Sequence, residues 1–595
     1  MLCYTRILYC LLSYIFVGFG VINFPLVAAV STVEPNSEKP HIIFILADDL
    51  GFDDVSFRGS NEFLTPNIDA LAYHGKILER LYTPAICTPS RGALMTGRYP
   101  IHTGTQHYVI SNEEPWGLPT NITLMPEIFQ KAGYSTNLVG KWHLGFATRE
   151  YTPTYRGFDN HYGYWGGFID YYQRRSQMPL PHYSMGYDFY RNLELECADR
   201  GVYMTDLLTR EAERIILANN NTKPLFLLLS HLAVHTGNAN EPLQAPREEI
   251  AKFSYIKDPN RRKYAAMVSR LDQSVGNIIN ALEEANMLKT SIVIFQSDNG
   301  GPSVDLFANS ASNWPFKGQK NTAWEGGVRV AGAIWSPLLS QRHSLFRPTM
   351  YMGDWLPTLA AAANIPLNQS ALRLDGLNLW PTLSDATNNA NYENFDREIV
   401  HYLDDVWHVA ALQQGDWKYV NGSTAAGRFN NVLTYRELYD TDPRSVDYYA
   451  AVKNSSTSSV LQRYDEHQLQ RAHINQLRNA AKVDCGNGVQ RSCNPLWEEC
   501  LYNVAVDPCE RNNLASLSEY RKILRRMRRS VRQHRSNAAP LANRRGSFEH
   551  SPSRHRCVWS NFLEDAPSEE FFVCGLYGMP CESATSVEGI NVEHI

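Results

Sequence analysis

Four short apolar runs, each breaking into charged or polar residues at its carboxyl end, constrain this chain more than any other feature. They are HIIFILADD, with a strand over Ile42 to Leu46; YSTNLVGKWHLG, with a strand over Thr136 to Val139; PLFLLLSHLAVH, a buried strand ending near His235; and TSIVIFQSDNGG, with a strand over Ile292 to Phe295. Continuous apolar runs of this length suit strands covered on both faces. Helical patterns such as LMPEIFQKAG and YAAMVSRLDQSVGNIINALEEA separate them. The alternation predicts an α/β domain on a parallel sheet over about 40–340. In open sheets of this kind a ligand site lies off the carboxyl edge of the strands. Asp48 and Asp298, far apart in the chain, are thereby brought to one rim.

The residues at those strand ends have a definite chemistry. Asp48 and Asp49 repel one another unless a positive charge lies between them, and a hard cation with oxygen ligands meets that need. Asp298 and Asn299 repeat the arrangement on another strand. Together they offer oxygen donors without Cys or His, which suits Ca²⁺ or Mg²⁺ over Zn²⁺. Either pair alone would read equally well as a helix cap or turn. Asp53 and Asp54 lie past the strand end and read as turn or capping chemistry. Arg91, Lys141, His143, His235 and Lys320 cannot crowd the same rim without a strongly anionic partner. A phosphate or sulfate ester is such a partner. His143 alone would read as a core histidine. Of two candidates near one strand end, His235 is preferred because it begins the loop, while His231 is expected to pack within the strand. Lys317 and Lys320 share the loop NWPFKGQKNTAWEGGVR, which reads as rigid and substrate-facing; either lysine alone would read as solvated surface. Pro89 suits the first helical position, with Thr88 as the cap, and a helix amino terminus adds an anion site.

The N-terminal stretch carries Arg6, a long apolar run, and small residues at Ala28, Ala29 and Ser31. It reads as a secretory signal over residues 1–30, cut near Ala29 to Ser31; an uncleaved membrane anchor is the alternative. No other apolar run is long enough to span a bilayer, so no membrane span is expected after cleavage. Five glycosylation sequons stand at Asn121, Asn220, Asn368, Asn421 and Asn454. Of eleven cysteines, Cys3 and Cys10 lie in the signal, which leaves nine. Cys197, Cys485, Cys493, Cys500, Cys509, Cys557, Cys574 and Cys581 can pair, with Cys87 the odd one out. These features place the chain in the secretory pathway, lysosomal or extracellular. The net charge of −5 excludes a bulk-basic nucleic-acid binder.

The catalytic domain is assigned to 38–385 and a smaller C-terminal domain to 386–595. In the latter, REIVHYL, VAALQQGDWKYVNG and RELYDTD predict short antiparallel strands. Residues 447–495 read as an inserted polar loop with some helix, followed by a basic helix and a cysteine-rich tail. In YRKILRRMRRSVRQHR, Tyr520, Ile523, Leu524, Met527 and Val531 form one apolar stripe with the arginines facing out. The bland reading is a solvated surface helix; the sharper one is contact with a polyanion.

The stretch CTPSRGALMTGRYPIHTG resembles the signature of the sulfatase family, with Cys87, Pro89 and Arg91 at the signature's spacing. LADDLGFDDVSFRGS, TPNIDALA, GYSTNLVGKWHLG, RGFDNHYGYWGG, SDNGG, AWEGGVR and DWLPTL extend the similarity over most of 40–440. GRYPIHTGTQH and NWPFKGQKNTAWEGGVR are most similar to the arylsulfatase B subgroup, which acts on N-acetylgalactosamine 4-sulfate. The resemblance implies an α/β fold of the alkaline phosphatase type, with a large mixed or parallel sheet flanked by helices and a smaller C-terminal antiparallel sheet. It implies sulfate release from a sulfated glycosaminoglycan such as dermatan or chondroitin sulfate, or from another sulfate ester.

It also implies that a formylglycine-generating enzyme converts Cys87 to 3-oxoalanine (formylglycine) before folding. One hydroxyl of the hydrated aldehyde then attacks sulfur, and the second ejects sulfate. Asp48, Asp49, Asp298, Asn299 and the converted Cys87 match the ligands of one Ca²⁺ per chain. Arg91 and Lys141 would fix the charges there, His143 would be the base, and His235 and Lys320 would bind sulfate, one of them protonating the leaving oxygen. Two departures stand out: a short insertion in AVHTGNANEPLQAP after His235, and a C-terminal cysteine cluster unlike that of arylsulfatase B. A phosphodiesterase or phosphonate hydrolase of the same superfamily is the rival enzyme, expected to hold two metals rather than one. An inactive glycan-binding relative is the rival outside enzymes.

Overall fold

The computed structural model describes residues 39–178, 184–219, 221–305, 308–385, 397–431, 447–466, 468–486 and 490–565. The signal segment, Asn220, the expected strand RELYDTD, Cys574 and Cys581 lie outside the described residues. Ten strands make the main sheet: β1 (His41–Ala47), β2 (Lys76–Leu78), β3 (Ser135–Lys141), β4 (Asn160–Tyr164), β5 (Tyr190–Arg191), β6 (Glu194–Leu195), β7 (Leu225–Ser230), β8 (Ser291–Ser297), β9 (Gly332–Trp335) and β10 (Ser344–Phe346). Their spatial order is β10-β2-β9-β8-β1-β7-β3-β4-β5-β6. The four strands foreseen from their apolar runs are the adjacent central ones, β8-β1-β7-β3, all parallel. Antiparallel β9 and β5 make the sheet mixed toward its edges.

Both faces of the centre are covered, which is why the runs do not alternate with polar residues. Ile43, Ile45, Leu227, Leu229, Val293 and Phe295 pack on one side under helices that include Met204–Ala218 and Pro259–Glu284. The latter starts where Asp258 accepts a hydrogen bond from the Arg261 amide at 2.7 Å, with Pro259 in the first turn. Ile42, Phe44, Leu46, Phe226, Leu228 and Ile294 pack on the other side with Leu94, Met95, Trp355 and Leu356. Gly140 brings β3 against β7 at the edge. Its φ is +109°, and a Cβ there would lie 1.9 Å from the Ser230 carbonyl oxygen.

A second, antiparallel sheet of four strands comprises β11 (Glu398–Asp404), β12 (Val409–Gln414), β13 (Trp417–Asn421) and β14 (Cys500–Asn503) in that order. β11 falls in the foreseen REIVHYL and both β12 and β13 in the foreseen VAALQQGDWKYVNG, while β14 is not among the foreseen strands. Helix Arg521–Ser536 lies on this sheet, and its Leu524, Met527 and Val531 join Val400, Leu412 and Tyr419 in one core. The arginines face outward, as the apolar stripe requires. Residues 447–481 hold helices Tyr448–Lys453, Ser456–Leu461 and Arg471–Ala481. Their Val452, Leu461, Ile474 and Leu477 extend the core on the opposite face of the main sheet. Disulfides join Cys485 to Cys509 and Cys493 to Cys500. Cys197 and Cys557 are also disulfide-bonded, and Cys87 is the free cysteine among the described residues. Among the described residues no helix is long and apolar enough to cross a membrane.

Candidate active site

The carboxyl ends of β8, β1, β7 and β3 form one rim, and every site residue foreseen from the sequence lies on it or reaches it. Asp48 and Asp49 follow β1, Asp298 and Asn299 follow β8, Lys141 ends β3, and His235 stands in the loop after β7. Asp49 and His143 hold left-handed backbone, each with φ +60°. Non-glycine residues in that region are uncommon and concentrate at functional turns.

Helix Cys87–Thr96 docks its first turns into this rim. Arg91 Nη1 donates to the Ser230 hydroxyl at 2.7 Å and to the Lys141 carbonyl at 3.2 Å. Its Nη2 lies 2.9 Å from Asp298 Oδ2 and 3.4 Å from Asp48 Oδ2. The Ser90 hydroxyl donates to the Asp298 carbonyl. The helix begins at Cys87 with Ile86 in the cap position, so Thr88 is not the cap and Pro89 is not first. The Thr88 hydroxyl is engaged elsewhere: it donates to the His143 carbonyl at 3.0 Å and accepts from the Ile110 amide at 3.1 Å. A carbonyl just past β3 and a loop amide are satisfied in place of the helix terminus.

Charges of opposite sign interlock at the centre. Lys141 Nζ is 2.5 Å from Asp48 Oδ2, and Lys320 Nζ is 2.7 Å from Asp49 Oδ2. His235 Nε2 is 3.5 Å from the same Asp49 oxygen. The Asp49 amide donates to Asp298 Oδ1 at 3.2 Å, and Asn299 Nδ2 donates to Asp49 Oδ1 at 2.7 Å. Cys87 Sγ lies 3.7 Å from Asp48 Oδ1. Asp48, Asp49, Asp298 and Asn299 are fully buried and Cys87 is 1% exposed.

Such burial separates the titrations. It opposes ionisation of Asp48, but Lys141, His235 and Arg91 outweigh it and hold the carboxyl below its usual range. Asp298 is raised by burial and by the Asp48 charge, against Arg91. Burial pushes the Cys87 thiol up to about 12. Burial, then Lys141 and Arg91, hold His143 well below the usual histidine value, so its ring is neutral. His143 Nε2 lies 3.0 Å from the Ile110 carbonyl and must carry the proton to donate there. Its Nδ1 is then the basic nitrogen, and it is buried without a hydrogen-bond partner.

The donor set suits a hard cation. Ligand atoms of Asp48, Asp49, Cys87 and His235 lie within 4.8 Å of one another. Asn299 Oδ1 is buried and accepts no hydrogen bond, an acceptor without a donor beside three carboxylates. Asp298 enters through the Asp49 amide and Arg91, and lies outside the tightest group of four.

Neighbours not singled out in the sequence support these groups. Phe168 stacks on the His235 ring with centroids 5.5 Å apart. Ser230 holds Arg91, and only its place at the end of β7 marks it in the sequence. His231 is packed inside, 3.0 Å from the Ser274 hydroxyl, as expected. Asp54 is not simply a turn residue: it is an ion-pair partner of Arg261 at 2.7 Å and accepts from Tyr264 at 2.6 Å. Lys317 is not a solvated surface lysine. Its Nζ stacks 3.6 Å over the Trp324 ring and donates to the Glu510 carbonyl at 2.7 Å. Beside it, buried Lys418 lies 2.8 Å from Glu325 and 2.9 Å from Glu510. The loop carrying Lys320 is thus held from below by the second sheet and its disulfide-linked flank.

A protein-family model described as Sulfatase matches residues 40–365. Arylsulfatase J of Mus musculus is 34% identical over 544 residues, covering 89% of this chain and 81% of that protein. N-acetylgalactosamine-6-sulfatase of Homo sapiens is 29% identical over 389 residues, covering 63% of this chain and 71% of that protein. The crystal structure of Ps i-CgsB in complex with k-i-k-neocarrahexaose superposes with a TM-score of 0.64 at 27% identity, covering 85% of this chain and 94% of that one.

Proposed function

Because the chain belongs to the sulfatase family and is a sulfuric ester hydrolase, we propose that it removes sulfate from a sulfated galactosamine glycan. The bond we assign is the 4-sulfate of N-acetylgalactosamine in dermatan or chondroitin sulfate. The observation that carries the reading is the buried rim, where Arg91, Lys141, Lys320 and two histidines surround Cys87 and three carboxylates. A relative named for N-acetylgalactosamine 6-sulfate supports a galactosamine ester as the class. The secretory pathway, ending in the lysosome or outside the cell, fits the sequons and cysteines.

As a thiol, Cys87 is a poor nucleophile, since a value of about 12 keeps it protonated at neutral pH. Conversion to formylglycine removes that obstacle. Once hydrated, residue 87 would supply a geminal diol, with one hydroxyl as the nucleophile toward sulfur and the other as the group whose deprotonation would release sulfate. A single Ca²⁺ held by Asp48, Asp49, Asp298, Asn299 and residue 87 would supply Lewis acidity there.

The chain's own groups then have separate tasks. Arg91 and Lys141 keep Asp48 ionised and fix the docked helix. Lys320 and His235, on the Asp49 side, bind the sulfate oxygens, and one of them protonates the departing alcohol. Neutral His143 takes the proton of the second hydroxyl on Nδ1.

Peptide mass spectrometry across residue 87 tests the nucleophile. The expected mass is that of the aldehyde; a thiol in every molecule would sink the mechanism. Assays on 4-sulfated and 6-sulfated galactosamine glycans test the substrate. Release from the 4-sulfated polymer is expected. Inactivity on both, with activity on another sulfated class, removes the assignment.

A further inference from the structure

The helix Arg521–Ser536 reads RKILRRMRRSVRQHRS, without a single acidic residue. Its inward face is accounted for by Leu524, Met527 and Val531. Its flanks are accounted for too. Arg528 pairs with Glu499, and Arg535 lies 2.8 Å from Asp405. Opposite the buried face, Arg521, Arg525, Arg529 and Arg532 succeed one another at helical spacing, all exposed. None of the four makes an ion pair with a described carboxylate. Like charges three and four residues apart cost a helix about 0.2–0.5 kcal/mol per pair. Among the described residues, acids meet the arginines on the flanks of the helix and no ion pair forms along the outward stripe.

The C-terminal end of this helix, rather than the stripe itself, is linked toward the rim of the active site through the β11–β12 turn. Asp405, held by Arg535, belongs to the β11–β12 turn that carries Trp407. The Trp407 ring lies 4.9 Å from His107 and 5.4 Å from Tyr108, centroid to centroid. Burial raises the pKa of the Tyr108 hydroxyl, and the Lys320 ammonium acts against it. Beyond the helix, the chain runs beside the same loop. The Ala539 amide donates to the Ile101 carbonyl at 2.8 Å, the Ala542 amide to Gly104 at 2.9 Å, and the Asn543 side chain to the His107 carbonyl at 3.0 Å. Exposed Arg544 and Arg545 come next.

We propose that the outward stripe of Arg521–Ser536 is an exosite for a sulfated glycan chain, gripping repeats beyond the one whose sulfate is cleaved. The inference rests on the proposed glycan substrate for the identity of the polyanion. The four-arginine stripe spans about 16 Å at 1.5 Å per residue, long enough to meet more than one sulfate of an extended polymer. Exposed cations of this kind act through screened, long-range attraction and therefore depend on salt.

The test compares the full-length protein with the triple variants R525Q/R529Q/R532Q and R525E/R529E/R532E. Glutamine is a good helix former, so the first variant retains the helix. Binding to immobilised chondroitin 4-sulfate should weaken about a hundredfold in the glutamine variant, which loses three cations at about 1 kcal/mol each and 1.4 kcal/mol per decade, and further in the glutamate one. Its dependence on salt should flatten. KM on the polymer should rise with kcat unchanged, while hydrolysis of a small aryl sulfate stays as in the parent. Unchanged polymer binding and salt dependence in both variants would overturn the exosite. So would binding to phosphatidylserine vesicles that soluble chondroitin 4-sulfate does not displace. The binding arm needs no turnover, so an inactive enzyme would count against the proposed reaction and leave this measurement intact.

Discussion

Two regions of this molecule concentrate cations, and they treat them oppositely. At the rim, Arg91, Lys141 and Lys320 are buried or nearly so, and each lies against a carboxylate. On helix Arg521–Ser536 the outward stripe of Arg521, Arg525, Arg529 and Arg532 is exposed and makes no ion pair with a described carboxylate. Burial explains the contrast. An ion taken from water needs a partner in good geometry, whereas an exposed one is already solvated and can wait for a mobile ligand. Buried charges therefore set geometry and exposed ones set capture.

The comparison can be broken most decisively at its centre. Cys87→Ala removes the proposed nucleophile with little change in volume. Turnover should fall on the order of 10⁴-fold or more, as when a nucleophile is removed elsewhere, while binding of chondroitin 4-sulfate to the helix persists. Loss of both together, measured by turnover and by binding, would mean the two regions are not separate. Next comes Lys418→Met, which leaves Glu325 and Glu510 buried without their shared cation. Denaturant unfolding should show a loss of about 3–5 kcal/mol. An equal substitution at Arg529 should cost almost nothing. Third, Lys320→Ala should lower kcat/KM about 10²–10³-fold, typical of a lost charge-stabilising donor, with fold stability retained; steady-state kinetics with circular dichroism checks it.

The smallest effect concerns the seam between the regions. Glu398 accepts from His534 Nε2 at 2.6 Å and from the Ser530 hydroxyl, so it ties the helix to β11. Burial opposes its ionisation, but His534 and Ser530 hold its pKa below the usual value. A depressed carboxylate stabilises the fold fully above its unfolded value of about 4.3 and loses that contribution as pH falls through the folded value. Hydrogen exchange in Arg521–Ser536 should therefore accelerate below about pH 4, by no more than about tenfold, the scale of one charge-assisted hydrogen bond. In Glu398→Gln that step should vanish; an unchanged step would assign it to another group.

Much of this was legible before any coordinates. The central strands announced themselves because both faces are covered, and their polar ends follow from how parallel sheets place sites. Lys320 was separated from Lys317 by resemblance, but the reason lies in packing: one reaches Asp49 and the other is caught between Trp324 and Glu510. That contact comes from a segment nearly two hundred residues away, so no local pattern could reveal it. Thr88 misled because a hydroxyl near a helix start usually caps it, and here tertiary acceptors and donors win. Edge strands of two or three residues, such as Glu194–Leu195, are too short to carry a period. Three strands of the second sheet and its helix are readable, the helix from one apolar stripe, whereas β14 is not among the foreseen strands. That the second sheet supports the site was not.

That support has a consequence for how damage would show itself. Glu510 adjoins Cys509, which is tethered to Cys485, and it receives both the Lys317 and Lys418 ammonium groups. A remote lesion in this tail can therefore act on the chemistry as well as on stability, because the loop that carries Lys320 leans on Glu510 through Lys317. Faults far from the rim would then be mistaken for active-site faults, and restoring the tether, not the rim, would be the repair.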